Sequence, residues 1–133
     1  MFVDTSLFVA VSNKSDKNHA RAKFLLEKAL QGEYGVLFTS DYVVDEAITT
    51  ALVRTHNYQI AVNTGSFIMD SMRIEKIFTG SDDFLTGWSN FRKFKRKPLS
   101  FTDCISLALT AKRGIERMMS FDSDFDGLIE RVC

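Results

Sequence analysis

Four short stretches of the sequence join an acidic residue to hydroxyl-bearing neighbours: Val3-Asp4-Thr5-Ser6, the run from Thr39 to Glu46, Ser100-Phe101-Thr102-Asp103 and Ser120-Phe121-Asp122. Carboxylates brought together repel one another unless they are protonated or neutralised by a cation. Oxygen donors without His or Cys suit Mg2+ or Mn2+, which bind through one or two carboxylates and keep water for a substrate. In two-metal phosphodiester hydrolysis such ions stand ~3.5–4 Å apart, one activating water and the other stabilising the leaving oxygen. The remaining chemistry-bearing residues point elsewhere. His19 and His56 sit in polar helical contexts without the spacing of a ligand pair and read as surface residues. Cys104 and Cys133 have no neighbouring His to activate a thiol.

Each acid also has a simpler reading. Asp4 can cap the helix that follows it, a role worth about 1 kcal/mol. Glu46 can be a dipole-favoured acid early in a helix, although its neighbours Val43, Ala47 and Ala51 place it beside an apolar face, where a carboxylate is costly. Ser100 and Asp103 fit a capping box. Asp122 lies in Ser-Phe-Asp-Ser-Asp-Phe-Asp-Gly, where a turn role is natural. Asp122-x-Asp124-x-Asp126-Gly127 also begins like an EF-hand loop, but the twelfth position, which should be a bidentate Glu, is Cys133. An aspartyl-phosphate hydrolase starting at Asp4 would want a second Asp two residues on, where Ser6 stands.

The elements that must position these residues alternate in type. Met1-Phe2-Val3 is a very short apolar run. Ser15 and Asp16 cap a helix whose apolar positions Ala22, Leu25, Leu26, Ala29 and Leu30 recur at helical spacing, and Gly32 ends it. Tyr34 to Phe38 reads as a buried strand and Asp41 opens a second helix. Asn57 to Met72 reads as a helix and Arg73 to Phe78 as a strand. Ser81-Asp82 opens a helix that Pro98 stops, Ser100 caps a helix to Arg113 ended by Gly114, and Met118 to Phe121 is a short strand. A last edge strand is either very short, Ile129 to Cys133, or absent. Strands alternating with helices predict an α/β domain with a mainly parallel sheet, whose ligands gather outside the carboxyl ends of the strands. Asp4, Asp41, Asp45, Glu46, Asp103 and Asp122 all fall at or near that end.

Length and composition bound the answer. The chain has 133 residues, and that length fits one domain spanning 1–133, without repeat or linker. With 45% hydrophobic and 26% charged residues it is globular, and its 12 Phe predict an aromatic core. No apolar run reaches the ~18 residues of a membrane span, and Asp4 interrupts the start too early for a signal peptide. Two cysteines are too few for a disulfide framework, so a reducing, cytoplasmic setting is expected. The 17 basic and 17 acidic residues cancel, which excludes a uniformly basic nucleic-acid binder. They are not evenly placed. Residues 91–97, Phe-Arg-Lys-Phe-Lys-Arg-Lys, carry Arg92, Lys93, Lys95, Arg96 and Lys97 without an acid, whereas Asp122, Asp124, Asp126 and Glu130 face only Arg131 near the end. Phe91 and Phe94, three apart, are expected to be buried.

The four acidic motifs in this order resemble the PIN-domain ribonucleases, especially the small VapC-type toxins of VapBC toxin–antitoxin pairs, and the resemblance covers essentially the whole chain. It implies a three-layer α/β/α sandwich and a divalent-metal-dependent endoribonuclease using Mg2+ or Mn2+. It also implies a neutralising antitoxin and a homodimer. Carried onto this sequence, Asp4, Asp103 and Asp122 would hold metal and Glu46 would complete the acidic quartet and help orient water. Thr5, Ser6 and Ser120 would support them with hydroxyls. The basic strip could contact RNA phosphates or receive an acidic antitoxin segment. Other readings stay open: a PIN-fold RNA-processing nuclease without an antitoxin, or a non-catalytic RNA- or protein-binding module.

Overall fold

The computed structural model describes residues 1–95 and 97–133. The element order is β1 (Phe2–Val3), α1 (Thr5–Ser12), α2 (His19–Leu30), β2 (Leu37–Ser40), α3 (Asp41–Thr55), α4 (Tyr58–Asp70), β3 (Ile74–Ile77), α5 (Ser81–Lys93), α6 (Phe101–Arg113), β4 (Arg117–Met119) and β5 (Glu130–Val132). The five strands form one sheet in the order β3-β2-β1-β4-β5, and every pairing is parallel. Parallel strands need both faces covered, and six helices are available to cover them. This is the three-layer arrangement expected from the sequence.

The strand order makes β1 the pivot. Sequential strands run outward from it on one side to β2 and β3, and on the other to β4 and β5. The loops after β1, β2 and β4 therefore leave from neighbouring strands at a topological switch point, where α/β sheets open a crevice. Although β1 has only two residues, it is held firmly: the Asp4 amide donates to the Met119 carbonyl at 3.1 Å, and Thr39 Oγ1 donates to the Val3 carbonyl at 3.0 Å. Phe2 and Val3 are fully buried.

Several elements depart from the sequence reading. The segment immediately after Asp4 is a helix, α1, for which the sequence shows no period. Leu7, Phe8, Val9 and Ala10 are all buried in it, so it has no polar face to reveal a helical period. It packs against α2, α3 and α4. Helix α2 starts at His19, past the expected Ser15 and Asp16 caps. Asp16 instead accepts the Asn18 amide at 2.8 Å in the turn that leads in. His19 is half-buried rather than on the surface, and its Nδ1 bonds the Ala10 carbonyl at 2.8 Å. The edge strand exists, inside the expected limits. Only Phe2, Phe8 and Phe125 of the twelve Phe are fully buried, so the core is mainly aliphatic.

Helices α5 and α6 approach closely because Gly87 faces Ile105. A Cβ at position 87 would stand 2.4 Å from Ile105 Cδ1. The pair is pinned at its end by Lys112 Nζ, which reaches Asp83 Oδ1 at 2.7 Å. Asp83 Oδ2 also accepts the Gly80 amide at 3.1 Å at the start of α5. These contacts fix where α6 begins, and so where Asp103 stands.

Candidate active site

A cleft of about 680 Å3 opens at the carboxyl end of the sheet, and Asp4, Glu46, Asp103 and Asp122 all line it. They arrive from four different elements: the end of β1, the second turn of α3, the first turn of α6 and the loop after β4. Thr5, Ser6 and Ser100 line the same space.

The capping and turn roles read from the sequence are real, and they are the means by which the acids are aimed. Asp4 is the N-cap of α1. Its Oδ2 accepts the Ser6 amide at 3.1 Å, the Ser6 hydroxyl at 2.7 Å and the Ser120 hydroxyl at 2.8 Å. Ser6 and Ser120 also touch each other at 3.1 Å, and each receives an amide from the β4 loop: Phe121 on Ser6 Oγ and Asp122 on Ser120 Oγ. The two hydroxyls thus couple the loop after β1 to the loop after β4. Asp103 closes a capping box, accepting the Ser100 amide on Oδ2 at 2.9 Å while its own amide donates to Ser100 Oγ at 3.1 Å. Asp122 Oδ1 accepts the Asp124 amide at 2.8 Å and caps a 3₁₀ turn at Ser123–Phe125. Glu46 Oε2 accepts the Thr5 hydroxyl at 2.6 Å.

One oxygen of each carboxylate is thereby fastened. All three of these side-chain and amide contacts to Asp4 end on Oδ2. Among the described residues Glu46 Oε1, Asp103 Oδ1 and Asp122 Oδ2 accept no hydrogen bond. Asp4 and Asp103 are only 3% and 7% exposed. Burial raises the Asp4 carboxyl above its ordinary range against the downward pull of Ser6 and Ser120. Burial raises Glu46 as well, opposed by the Thr5 hydroxyl and reinforced by Asp4, Asp45 and Asp122. Asp103 is pushed up to about 6 by burial, with Ser100 opposing and Asp4 and Glu46 adding repulsion. Among the described residues no cation relieves any of the three.

That is a site short of positive charge, and its donor set is hard oxygen throughout, which fits Mg2+ or Mn2+. Among the described residues no three of these side chains already stand in ligating arrangement. Such an ion binds through one or two carboxylates and retains water, so a closed cage is not required.

Ser15 and Asp16, read from the sequence as caps, line the cleft, whereas several other acids do not. Asp41 accepts the Thr79 hydroxyl at 2.6 Å and the Thr79 amide at 3.1 Å, tying α3 to the loop after β3. Asp45 is exposed and Asp126 pairs with Arg131 at 2.7 Å. Asp124 sits against Lys97, whose Nζ also reaches the Ser123 and Asp124 carbonyls. The basic strip divides: Lys97 crosses to the Asp122 loop, whereas Arg92, Lys93 and Lys95 border a separate depression with Trp88 and Ser89. Arg96 lies outside the described residues. Phe91 is exposed rather than buried, its ring stacked on Trp88 at 5.9 Å. Lys17 and Arg54, which the sequence reading passed over, do line the acidic cleft.

A parallel α/β/α sheet with four acids at its switch point defines a PIN-like nuclease fold. A PIN domain family model matches residues 1–129, and the chain belongs to that family. It is 29% identical over 133 residues to the 23S rRNA-specific endonuclease VapC20 of Mycobacterium tuberculosis, covering 98% of this chain and 96% of the relative. The crystal structure of VapC20, described as a sarcin–ricin loop cleaving toxin, superposes with a TM-score of 0.84 over 94% of this chain and 92% of that one. VapBC2 from Rickettsia felis bound to a promoter DNA fragment shares the fold at a TM-score of 0.68 and 11% identity, over 98% and 96% of the chains.

Proposed function

We propose that the protein is a divalent-metal-dependent endoribonuclease that hydrolyses RNA phosphodiester bonds, acting as one unit over residues 1–133. The observation that carries this reading is the set of carboxylate oxygens left unfastened in one cleft of a PIN fold. Asp4, Asp103 and Asp122 would hold Mg2+ or Mn2+, which when bound supplies an activated water and stabilises the leaving oxygen.

The chain's own residues do the rest. Ser6 and Ser120 lock the Asp4 carboxylate in one orientation by holding the same oxygen. Ser100 does this for Asp103. Glu46, held by Thr5 at 2.6 Å through Oε2, would use its other oxygen to orient the attacking water. Its raised pKa lets it accept a proton near neutrality better than an ordinary carboxylate. Arg92, Lys93 and Lys95 give an outlying contact for the RNA backbone.

The relative VapC20 is 23S rRNA-specific and is described as a toxin. We extend that class to this chain: a toxin acting on ribosomal RNA in the cytoplasm, held in check by an antitoxin and working as a homodimer. Among the described residues no helix is long and apolar enough to cross a membrane. The test is cleavage of ribosomal RNA with Mg2+ or Mn2+ by wild type, Asp4→Asn and Asp103→Asn. Cleavage by wild type alone, abolished by EDTA, is the expected result. Equal and EDTA-insensitive cleavage by all three would overturn the assignment.

A further inference from the structure

The cleft that gathers the acids is not acidic along its whole length. Glu46, Thr50 and Arg54 recur every four residues on α3 and all line it. Eight residues of helix carry Arg54 about 12 Å along the axis from Glu46. Lys17, in the turn between α1 and α2, lines the same end. Neither cation is among the charges that shift Glu46, which are Asp4, Asp45 and Asp122. Nor is Arg54 consumed in a tight ion pair: its Nη1 is 3.8 Å from Asp16 Oδ2, and its side chain is 59% exposed.

We propose that Arg54 and Lys17 form a phosphate-binding rim that grips the RNA backbone to one side of the scissile bond. The proposal rests on the ribonuclease reading of the cleft and adds its substrate register. A polyanion entering a cleft lined by five carboxylates, Asp16 among them, needs cations within reach of its flanking phosphates. Arg54 presents a planar fork of donors suited to bidentate phosphate contact, and Lys17 a mobile point charge. Just past Asp122, Lys97 Nζ donates to the Ser123 and Asp124 carbonyls. A backbone held at Arg54 and Lys17 runs along the same cleft as the acids, so the rim sets which phosphate lies over them.

The test measures a short unstructured RNA oligonucleotide in two ways. Binding is followed by fluorescence anisotropy on the Asp4→Asn background, and cleavage kinetics on the wild-type background, for Arg54→Gln, Lys17→Gln and Asp16→Asn. The rim predicts that Arg54→Gln raises Kd and KM about tenfold, the effect of one lost charge-assisted contact. It also lowers the slope of log Kd against log salt by about 0.7, as expected for one phosphate contact on a single strand. kcat stays within about twofold, since the contact is made equally in ground and transition states. Asp16→Asn, which releases Arg54 while keeping the acceptor for Asn18, leaves KM unchanged or lowers it.

Unchanged Kd and salt slope in Arg54→Gln and Lys17→Gln would overturn the rim, as would a fall in kcat alone. An Asp16→Asn variant that copied Arg54→Gln would also overturn it, by showing that Arg54 serves only to tether the turn. RNA binding that depends on Arg54 in a protein that cuts nothing would refute the nuclease reading and leave the rim standing. A protein that binds no RNA would refute both.

Discussion

At the scale of single residues, the cleft is made by side chains that each do two things. Asp4 caps α1 and Asp103 closes the capping box of α6, yet both are nearly buried beside other acids. A neutral amide at position 4 would still accept the Ser6 and Ser120 donors through its oxygen, without a desolvated charge. Asp4→Asn is therefore expected to abolish cleavage, by at least the 10²–10⁴-fold typical of a lost acid–base group, while thermal melting holds or rises. A drop of several degrees with partial activity would show that Asp4 is mainly structural. Thr5→Val removes only the hydroxyl that holds Glu46. A hydrogen bond to a charged group is worth about 1.5–3 kcal/mol, so kcat should fall about ten- to a hundredfold with the far-ultraviolet circular dichroism unchanged. The four acids were legible in the sequence because each sits in a short motif after a strand or at a helix start. Arg54 was not. It is two turns beyond Glu46 in an otherwise ordinary helix, and only the path of α3 along the cleft gives it a place there.

At the scale of elements, α5 and α6 must meet at one fixed distance for Asp103 to reach the cleft. Asp83 stands at their junction, 6% exposed, bonded to Lys112 and to the Gly80 amide. Lys112 beside it and the Gly80 amide hold its carboxyl below the ordinary range. A lowered folded pKa contributes stability above the unfolded value of about 3.9. That contribution disappears as pH falls through the folded value. Asp83→Asn should thus cost about 1 kcal/mol at pH 7, the worth of a cap, and should cost progressively less below pH 4, where the wild-type carboxyl is itself protonated. Denaturant unfolding at both pH values checks the sign. Gly87→Ala tests the same junction by volume. The clash with Ile105 costs about 1–3 kcal/mol, against roughly 1 kcal/mol of helix propensity gained, for a net loss read in the same experiment. The alternation of strands and helices, and hence the parallel sheet, could be read from sequence because most helices have a polar face. Helix α1 could not, since Leu7 to Val11 is apolar throughout and carries no period. The α2 start was misplaced because Asp16 makes its local bond inside a turn, and the same residue type serves both roles.

At the scale of the whole molecule, the zero net charge conceals a folding cost concentrated at one end. Three of the four acids are driven above their ordinary range chiefly by burial, with repulsion from one another adding to it for Glu46 and Asp103. For Asp103 the folded value of about 6 exceeds the unfolded one of 3.8. The native state then holds the proton more tightly than the unfolded chain. Its stabilising effect is complete below the unfolded value and is lost as pH rises through about 6. In EDTA the acid cluster should therefore favour the fold at pH 5 relative to pH 7, while the α5–α6 pin contributes equally at both, because Asp83 is ionised throughout that window. A divalent ion reverses this dependence, because it binds the ionised carboxylates of the native state and stabilises by the ratio of its concentration to Kd. Mg2+ at a hundred times Kd would add about 2.7 kcal/mol, a rise of several degrees in Tm for a chain of this size. The rise should be large at pH 7, small at pH 5 and absent in Asp4→Asn. Melting curves with and without Mg2+ at the two pH values decide the matter without any RNA present. Identical curves at pH 7 would mean that the acids do not gather an ion, and the cleft would then have to meet its substrate with its negative charge unrelieved.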